Sequence, residues 1–381
     1  LVVGQEDRNF TVMVRYTFVF GLGLARAAMG QGQVLDPVLI TALPAHLNEA
    51  SALLFHQHQP WIALDSGNPN ALFRVDTQSG QVLQEVVLTN AANVDWEALA
   101  MDDTWVYVGD VGNNAGHRTD LCIYRFPIQA LAEGSEEVVV DTIRFHYADQ
   151  WDHTPAPDAT NWDAEALLAM GDSLFLFTKN WLNGRTHLYA LPATPGVHTA
   201  VRRAEFDTQG LITDAAYDPT TGGICLLGHS ANDMAPFIWL LNGYTGHHFF
   251  GGACQRYPLN PVALQAEAIA FSEPFSLWMA NERTAAREAA LWTIPWPMAV
   301  DEHSSAKALY AYPIPAGYEV HVEGARGAHQ ARVLGLNGTL IATVPIRSDG
   351  TIPLPALTQG AYLLEVMVDG RPGRIPLMVS Y

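Results

Sequence analysis

The sequence predicts an all-β chain: a five-bladed β-propeller, with six blades as the rival count, followed by a small immunoglobulin-like β-sandwich. Three observations predict it. A plan of four apolar runs separated by turn signals recurs along most of the chain at roughly fifty-residue intervals. The first run of each unit opens on an acid followed by small apolar residues, and the loop after the second run is long and polar. After residue 310 the pattern changes to about seven short alternating runs, the habit of a small sandwich.

Length and composition are consistent with that plan. With 381 residues and 49% hydrophobic content, the chain can bury one large β domain and one smaller one. Its 39 acidic residues against 20 basic ones give a formal net charge of -19. Such a field repels nucleic acid and anionic membrane surfaces and suits cations, so a nucleic-acid partner is excluded from the expectation. Cys122, Cys225 and Cys254 lack the close spacing of a zinc or redox motif and read as buried small side chains.

Taken in order, residues 1–30 read as an upstream extension plus a signal peptide. Met13 opens MVRYTFVFGLGLARAAMGQGQ, with one early basic residue, an apolar run from Tyr16 to Ala25 and small residues thereafter. The run is too short to span a bilayer and has the layout of an export signal. A buried strand is the alternative, and Arg26 in the cleavage region is the feature on its side.

The propeller is expected over 33–297. The first unit has Glu49 to Phe55, Trp61 to Asp65, Ala71 to Asp76 and Gln81 to Thr89; the second has Trp96 to Met101, Trp105 to Asp110, Leu121 to Pro127 and Glu137 to Tyr147. Ala164 to Asp207 and Leu211 to Leu259 hold the third and fourth. The fifth has three runs between Ala266 and Trp296, and Val34 to Leu43 is the unpaired run that completes it, sealing the ring with both chain ends. The stretch between Tyr147 and Asn161 is what keeps six blades in play.

Glu49, Glu97, Glu165, Asp214 and Glu267 stand at the starts of the first runs, spaced by 48, 68, 49 and 53 residues. First strands line a propeller's channel, so these acids are expected to converge as metal ligands near the axis. The ends of the second runs share that face, which places Asp65, Asn68, Asp110, Asn113, Asn114, Arg118, Lys179, Asn180, His229 and Asn281 around the ring as candidate binding residues. Carboxylates gathered this closely need compensation. Ca²⁺ is the cation such oxygens suit; the other reading has each acid capping amides of the next unit or pairing with Arg118, Arg185, Arg283 or Arg287. Acid and base work by two of the carboxylates is a further option, whereas no GxSxG, HExxH or P-loop is present. Trp96 reads as packing between units, and Trp162 and Trp181 as possible stacking surfaces.

The acid-then-small-apolar signature with polar loops after the second run resembles the phytase-like and calcium-dependent nucleotidase propellers across 33–297. That resemblance implies five blades and a channel-centred Ca²⁺, with Glu49, Glu97, Glu165 and Glu267 as candidate ligands.

Residues 298–309, which overlap the stretch PMAVDEHSSAKA that follows Trp296, form a linker by composition, and 310–381 is the C-terminal module. Its segments RVLGLNGTLIAT and LPALTQGAYLLEVMVDGR resemble the sorting domain of the bacterial type nine secretion system, through Leu336, Gly338, Leu340, Leu357, Gly360, Tyr362 and Leu363. Ile314 stands where that family usually has Asn before Pro315, and the ending LMVSY lacks its common terminal Lys. The resemblance implies the type nine machinery as partner and a protein secreted by, or held on the outer-membrane surface of, a Gram-negative bacterium. Two functional classes follow from the whole sequence. One is a binding module that holds a small molecule, glycan or protein on the propeller face. The other is a calcium-dependent hydrolase of phosphate esters or glycans using the same acids.

Overall fold

A computed structural model describes residues 33–132, 134–260, 264–296, 310–312, 316–323, 328–335, 339–368 and 371–379. The expected signal segment, the 298–309 linker, and Ile314, Pro315, Leu336 and Gly338 lie outside them. No helix among the described residues is long and apolar enough to cross a membrane.

The chain is all-β. After β1 (Val38–Ala42), the first unit holds β2 (Ala50–His56), β3 (Gln59–Leu64), β4 (Ala71–Val75) and β5 (Val82–Leu88). The second holds β6 (Trp96–Met101), β7 (Trp105–Asp110) and β8 (Cys122–Pro127), then β9 (Glu137–Val138) and β10 (Asp141–Tyr147). Next come β11 (Ala164–Met170), β12 (Ser173–Thr178), β13 (Thr186–Pro192) and β14 (Gly196–Phe206). The fourth unit is β15 (Leu211–Asp218), β16 (Gly223–His229), β17 (Pro236–Asn242) and β18 (Ala253–Pro258). The last is β19 (Ala266–Glu273), β20 (Ser276–Asn281) and β21 (Ala290–Ile294).

Each unit is an antiparallel meander, and β1 pairs with β21 so that the N-terminal strand completes the last sheet. The inner strands β2, β6, β11, β15 and β19 neighbour one another in a closed ring, β19 returning to β2. This is a β-propeller arrangement. Inner strands are apolar on both faces because sheets press on them from either side: β2 and β11 are buried at every residue but the last. Outer strands alternate, as in β10, with only one row inside.

Five apolar clusters hold the ring, and each is shared by two neighbouring units. Trp61 and Leu54 of the first unit pack with Trp96 and Val108 of the second, for example. No strand forms in 148–163, the stretch that suggested a sixth blade. It lies instead over the loop after β7: Ala156 and Asp158 donate backbone N–H bonds to the carbonyls of Ala115 and Asn114. Gly116 permits this approach, since it has φ +66° and a Cβ there would lie within 3 Å of the Thr160 side chain.

The run from Glu137 to Tyr147 is not one strand. Its start, β9, pairs in parallel with β5 of the preceding unit, and β10 pairs in parallel with the first half of β14. Outer edges of the first three units are thereby joined, which covers backbone groups that would otherwise face solvent.

The C-terminal module has β22 (Tyr310–Tyr312), β23 (Glu319–Glu323), β24 (Gln330–Leu334), β25 (Leu340–Pro345), β26 (Thr351–Pro353), β27 (Gly360–Val368) and β28 (Arg371–Val379). Two sheets, β22-β23-β26 and β25-β24-β27-β28, enclose an apolar core that includes Val320, Val333, Leu364 and Leu377. Glu365 is buried and held by Arg332 at 2.6 Å and Arg374 at 2.8 Å.

Candidate functional site at the acidic face

The inner strands meet their second strands with a shift of register at the same place in every unit. The shifts fall between Ala50 and Ala52, Trp96 and Ala98, Ala164 and Ala166, Ile212 and Asp214, and Ala266 and Ala268. The residues in the bulges are therefore Ser51, Glu97, Glu165, Thr213 and Glu267. A bulge re-aims one side chain without disturbing the rest of the strand.

This register corrects the expected ring. Glu97, Glu165 and Glu267 are equivalent, but Glu49 and Asp214 are not their counterparts. Ser51 and Thr213 occupy those positions, and each hydroxyl donates to the next unit: Ser51 Oγ to the Trp96 carbonyl at 2.7 Å, Thr213 Oγ1 to the Ala266 carbonyl at 2.8 Å. Asp214, one residue on, is fully buried; its carboxylate accepts from the Ala215 N–H and, across the unit boundary, from the Ile269 N–H, both at 2.7 Å. That is the amide-capping alternative, and it leaves Asp214 no part in a ligand set at the axis. Glu49 is exposed, two residues before its bulge, where its carboxylate accepts from Asn68 Nδ2 at 2.6 Å.

The place two residues before the bulge carries the acids that spacing of whole units concealed. Asp95 and Asp163 share it with Glu49, and the backbone carbonyl there accepts the N–H of the residue leaving the second strand: Asp65, Val111, Lys179 and, at Gln265, Glu282. The twin signal was D-x-E, present in DWE and DAE. Asp65, Asp95 and Glu97 consequently come together, with one carboxylate oxygen from each within 4.8 Å of the others. Gly112 makes room for two of them, because a Cβ there would sit 2.5 Å from Asp95 Cγ and 2.9 Å from Glu97 Cγ.

The compensating cation for part of the ring is a side chain. Lys179 Nζ, buried, lies 3.1 Å from Glu165 Oε2 and 3.9 Å from Glu267 Oε2. Burial opposes its charge, but the carboxylates of Glu165, Glu267, Asp163 and Glu97 outweigh burial and hold its pKa well above the usual lysine range. Three of the four arginines expected as alternatives pair elsewhere: Arg118 with Asp110 at 2.9 Å and Asp120 at 3.0 Å, Arg185 with Glu205, and Arg283 with Glu288.

The acids nearer the first two units keep less compensation. Burial, then the charges of Asp65 and Asp163, push Asp95 up to about 7. Burial followed by Glu165, Asp65 and Asp95 holds Glu97 well above the carboxylate range. Glu282 rises to about 8 through burial and then the charge of Glu267. Asp163 is also raised by burial, with Lys179 opposing; it accepts the Asn113 N–H at 2.6 Å and Trp181 Nε1 at 2.8 Å.

Several of the remaining candidates bind the loops to the ring. Asp110 accepts the Asp95 N–H at 3.0 Å, Asn113 Oδ1 accepts the Arg118 N–H at 2.9 Å, and Asn180 accepts from Thr178 Oγ1 at 2.6 Å. Asn281 accepts Trp292 Nε1 at 2.7 Å and donates to the Glu282 and Glu288 carbonyls. His229 is buried with Nδ1 3.0 Å from the Ser230 carbonyl, and Asn114 is exposed. Trp96 is fully buried between units; Trp162 packs on Tyr147, and Trp181 lies beneath Lys179 at 5.1 Å.

No protein-family model and no curated protein matches this chain. Among solved structures, it is similar at 12% identity to the β-propeller domain of Cps50 (Swd1) from Myceliophteria thermophila, over 65% of this chain and 84% of that one, with TM-score 0.33. A quinonprotein alcohol dehydrogenase-like protein from Bacteroides thetaiotaomicron matches at 9% over 82% and 68%, TM-score 0.32. A chain of the mitotic checkpoint complex matches at 15%, TM-score 0.32, over 64% of this chain, which spans 63% of that one. Scores this low carry no argument; the strand order given above is what identifies the propeller.

Proposed function

We propose that this chain is an exported five-bladed propeller that holds Ca²⁺ on Asp65, Asp95 and Glu97 and presents the metal-bearing face to a small molecule, glycan or protein. The observation that carries the reading is the convergence of those three carboxylates within 4.8 Å. Oxygens bound to one Ca²⁺ at 2.3–2.6 Å stand at most about 5 Å apart, so this set fits the ion. Glu165 and Glu267, engaged by Lys179, are left out of it. When bound, the cation would neutralise the cluster and offer its open coordination positions to oxygens of a ligand. Five shared apolar cores favour the count of five blades.

Calorimetric titration of the full chain with CaCl₂ at pH 7.5 tests the site. One ion per chain, with protons released as Asp95 and Glu97 ionise, is the expected result. Binding unaltered by Glu97→Gln would refute the assignment.

A second reading, hydrolysis of phosphate esters or glycans, is favoured by one observation: Asp95 near 7 and Glu282 near 8 are carboxyls poised to hold a proton at neutral pH. Turnover on either substrate panel that Asp95→Asn abolishes would support it, and ligand retention without turnover would support the binding module.

We assign the C-terminal module, on its two sheets and on Leu357, Gly360, Tyr362 and Leu363, to an immunoglobulin-like sorting domain for type nine secretion. A reporter fused to residues 310–381 should reach the surface of a host with that system; retention inside the cell would remove the assignment.

A further inference from the structure

The inner strands that begin at the acids line, near their other ends, a cavity of about 310 Å³ that is open to solvent on one side and mostly apolar. Three residues beyond each bulge residue they carry Leu54, Ala100, Leu168, Ala216 and Ala270, and all five line it. Leucine stands at this position in two units and alanine in three, and each of the five also packs into the core shared with the next unit. Phe55, Tyr217 and Phe271 follow one residue later on the same lining.

The charged lining groups are acidic. Asp102 is fixed: Oδ1 accepts the Thr104 and Trp105 N–H groups at 2.7 Å, and Oδ2 accepts the Tyr107 hydroxyl at 2.8 Å. Asp103 beside it is exposed, and neither Lys nor Arg occurs among the described lining residues. An apolar cavity of about 150 Å³ stays dry and accepts benzene, so one twice that size has room for a two-ring body. Cavities of this volume are in the range of small-molecule sites.

We infer that this cavity binds a small organic cation, with an apolar body of one or two rings inside it and the charged group at Asp102 and Asp103. It is separate from the calcium site and does not depend on it.

The full chain should be titrated at pH 7 with 1-naphthylmethylammonium and, for comparison, 1-naphthoate, following naphthalene fluorescence. The expected result is saturable binding of one cation per chain, about three- to tenfold tighter than the anion. Ala216→Leu and Ala270→Leu should abolish it while a melting curve verifies folding. Asp103→Asn, an exposed change, should retain binding and lower the preference for the cation about two- to threefold. Glu97→Gln should change nothing. Absence of saturable binding, an anion bound as tightly as the cation, or unchanged binding in a folded leucine variant would overturn the inference. Should both leucine variants fail to fold, an unchanged preference in Asp103→Asn overturns it.

Discussion

Asp95→Asn should stabilise the protein above pH 7 and leave it unaltered near pH 4. Burial together with Asp65 and Asp163 raises the Asp95 carboxyl from an ordinary 3.8 to about 7. The folded state therefore binds a proton that the unfolded chain has released across that interval. Stability contributed by this group is complete below about pH 4 and is lost as pH rises through about 7. Three pH units at about 1.4 kcal/mol each set a ceiling of about 4 kcal/mol. Asp95 keeps some contact with solvent, so about 1–3 kcal/mol is the expected gain, or about 2–10 °C in melting temperature. Thermal melts of both proteins in EDTA, from pH 4 to pH 8.5, would measure it by circular dichroism. Added CaCl₂ should narrow the gap at pH 8 by stabilising the native carboxylates. A variant less stable than the parent at pH 8, or a gap that does not vary with pH, would refute the account.

Two further outcomes test the ring. Lys179→Met strips Glu165 and Glu267 of their buried cation and should cost about 3–5 kcal/mol in urea unfolding at pH 7.5; a loss below 1 kcal/mol would mean the acids are compensated otherwise. Ser51→Ala leaves the Trp96 carbonyl without its partner from the preceding unit and should cost about 1–3 kcal/mol. Unchanged stability there would show that the bulge hydroxyl does not latch the units.

Much of the fold was legible because a repeated unit writes its turns and apolar runs several times over. The missing strand of the fifth unit pointed to β1, and the runs marked as first strands became the inner ring. The site was legible only to within a residue or two. Glu97, Glu165 and Glu267 occupy equivalent bulge positions, whereas Glu49 and Asp214, similar in local sequence, sit on either side of the equivalent position. A bulge adds one residue to one strand without a sequence signature of its own, and such a slip changes which face a side chain joins. Asp95 and Asp163 were hidden for the same reason, although each precedes its glutamate by two.

By itself the sequence determined that the main body of the chain is β, built from repeated meanders, and acidic on the face of its polar loops, since turn residues and apolar periodicity act locally. Tertiary structure alone decided which acids meet. Electrostatic partners are set by distance across the ring: Lys179 reaches Glu165 within its own unit and Glu267 two units away, and Asp65 from the first unit meets Asp95 and Glu97 of the second. No spacing along a chain encodes those encounters; they arise when the packed units bring the ends of their inner strands round one axis.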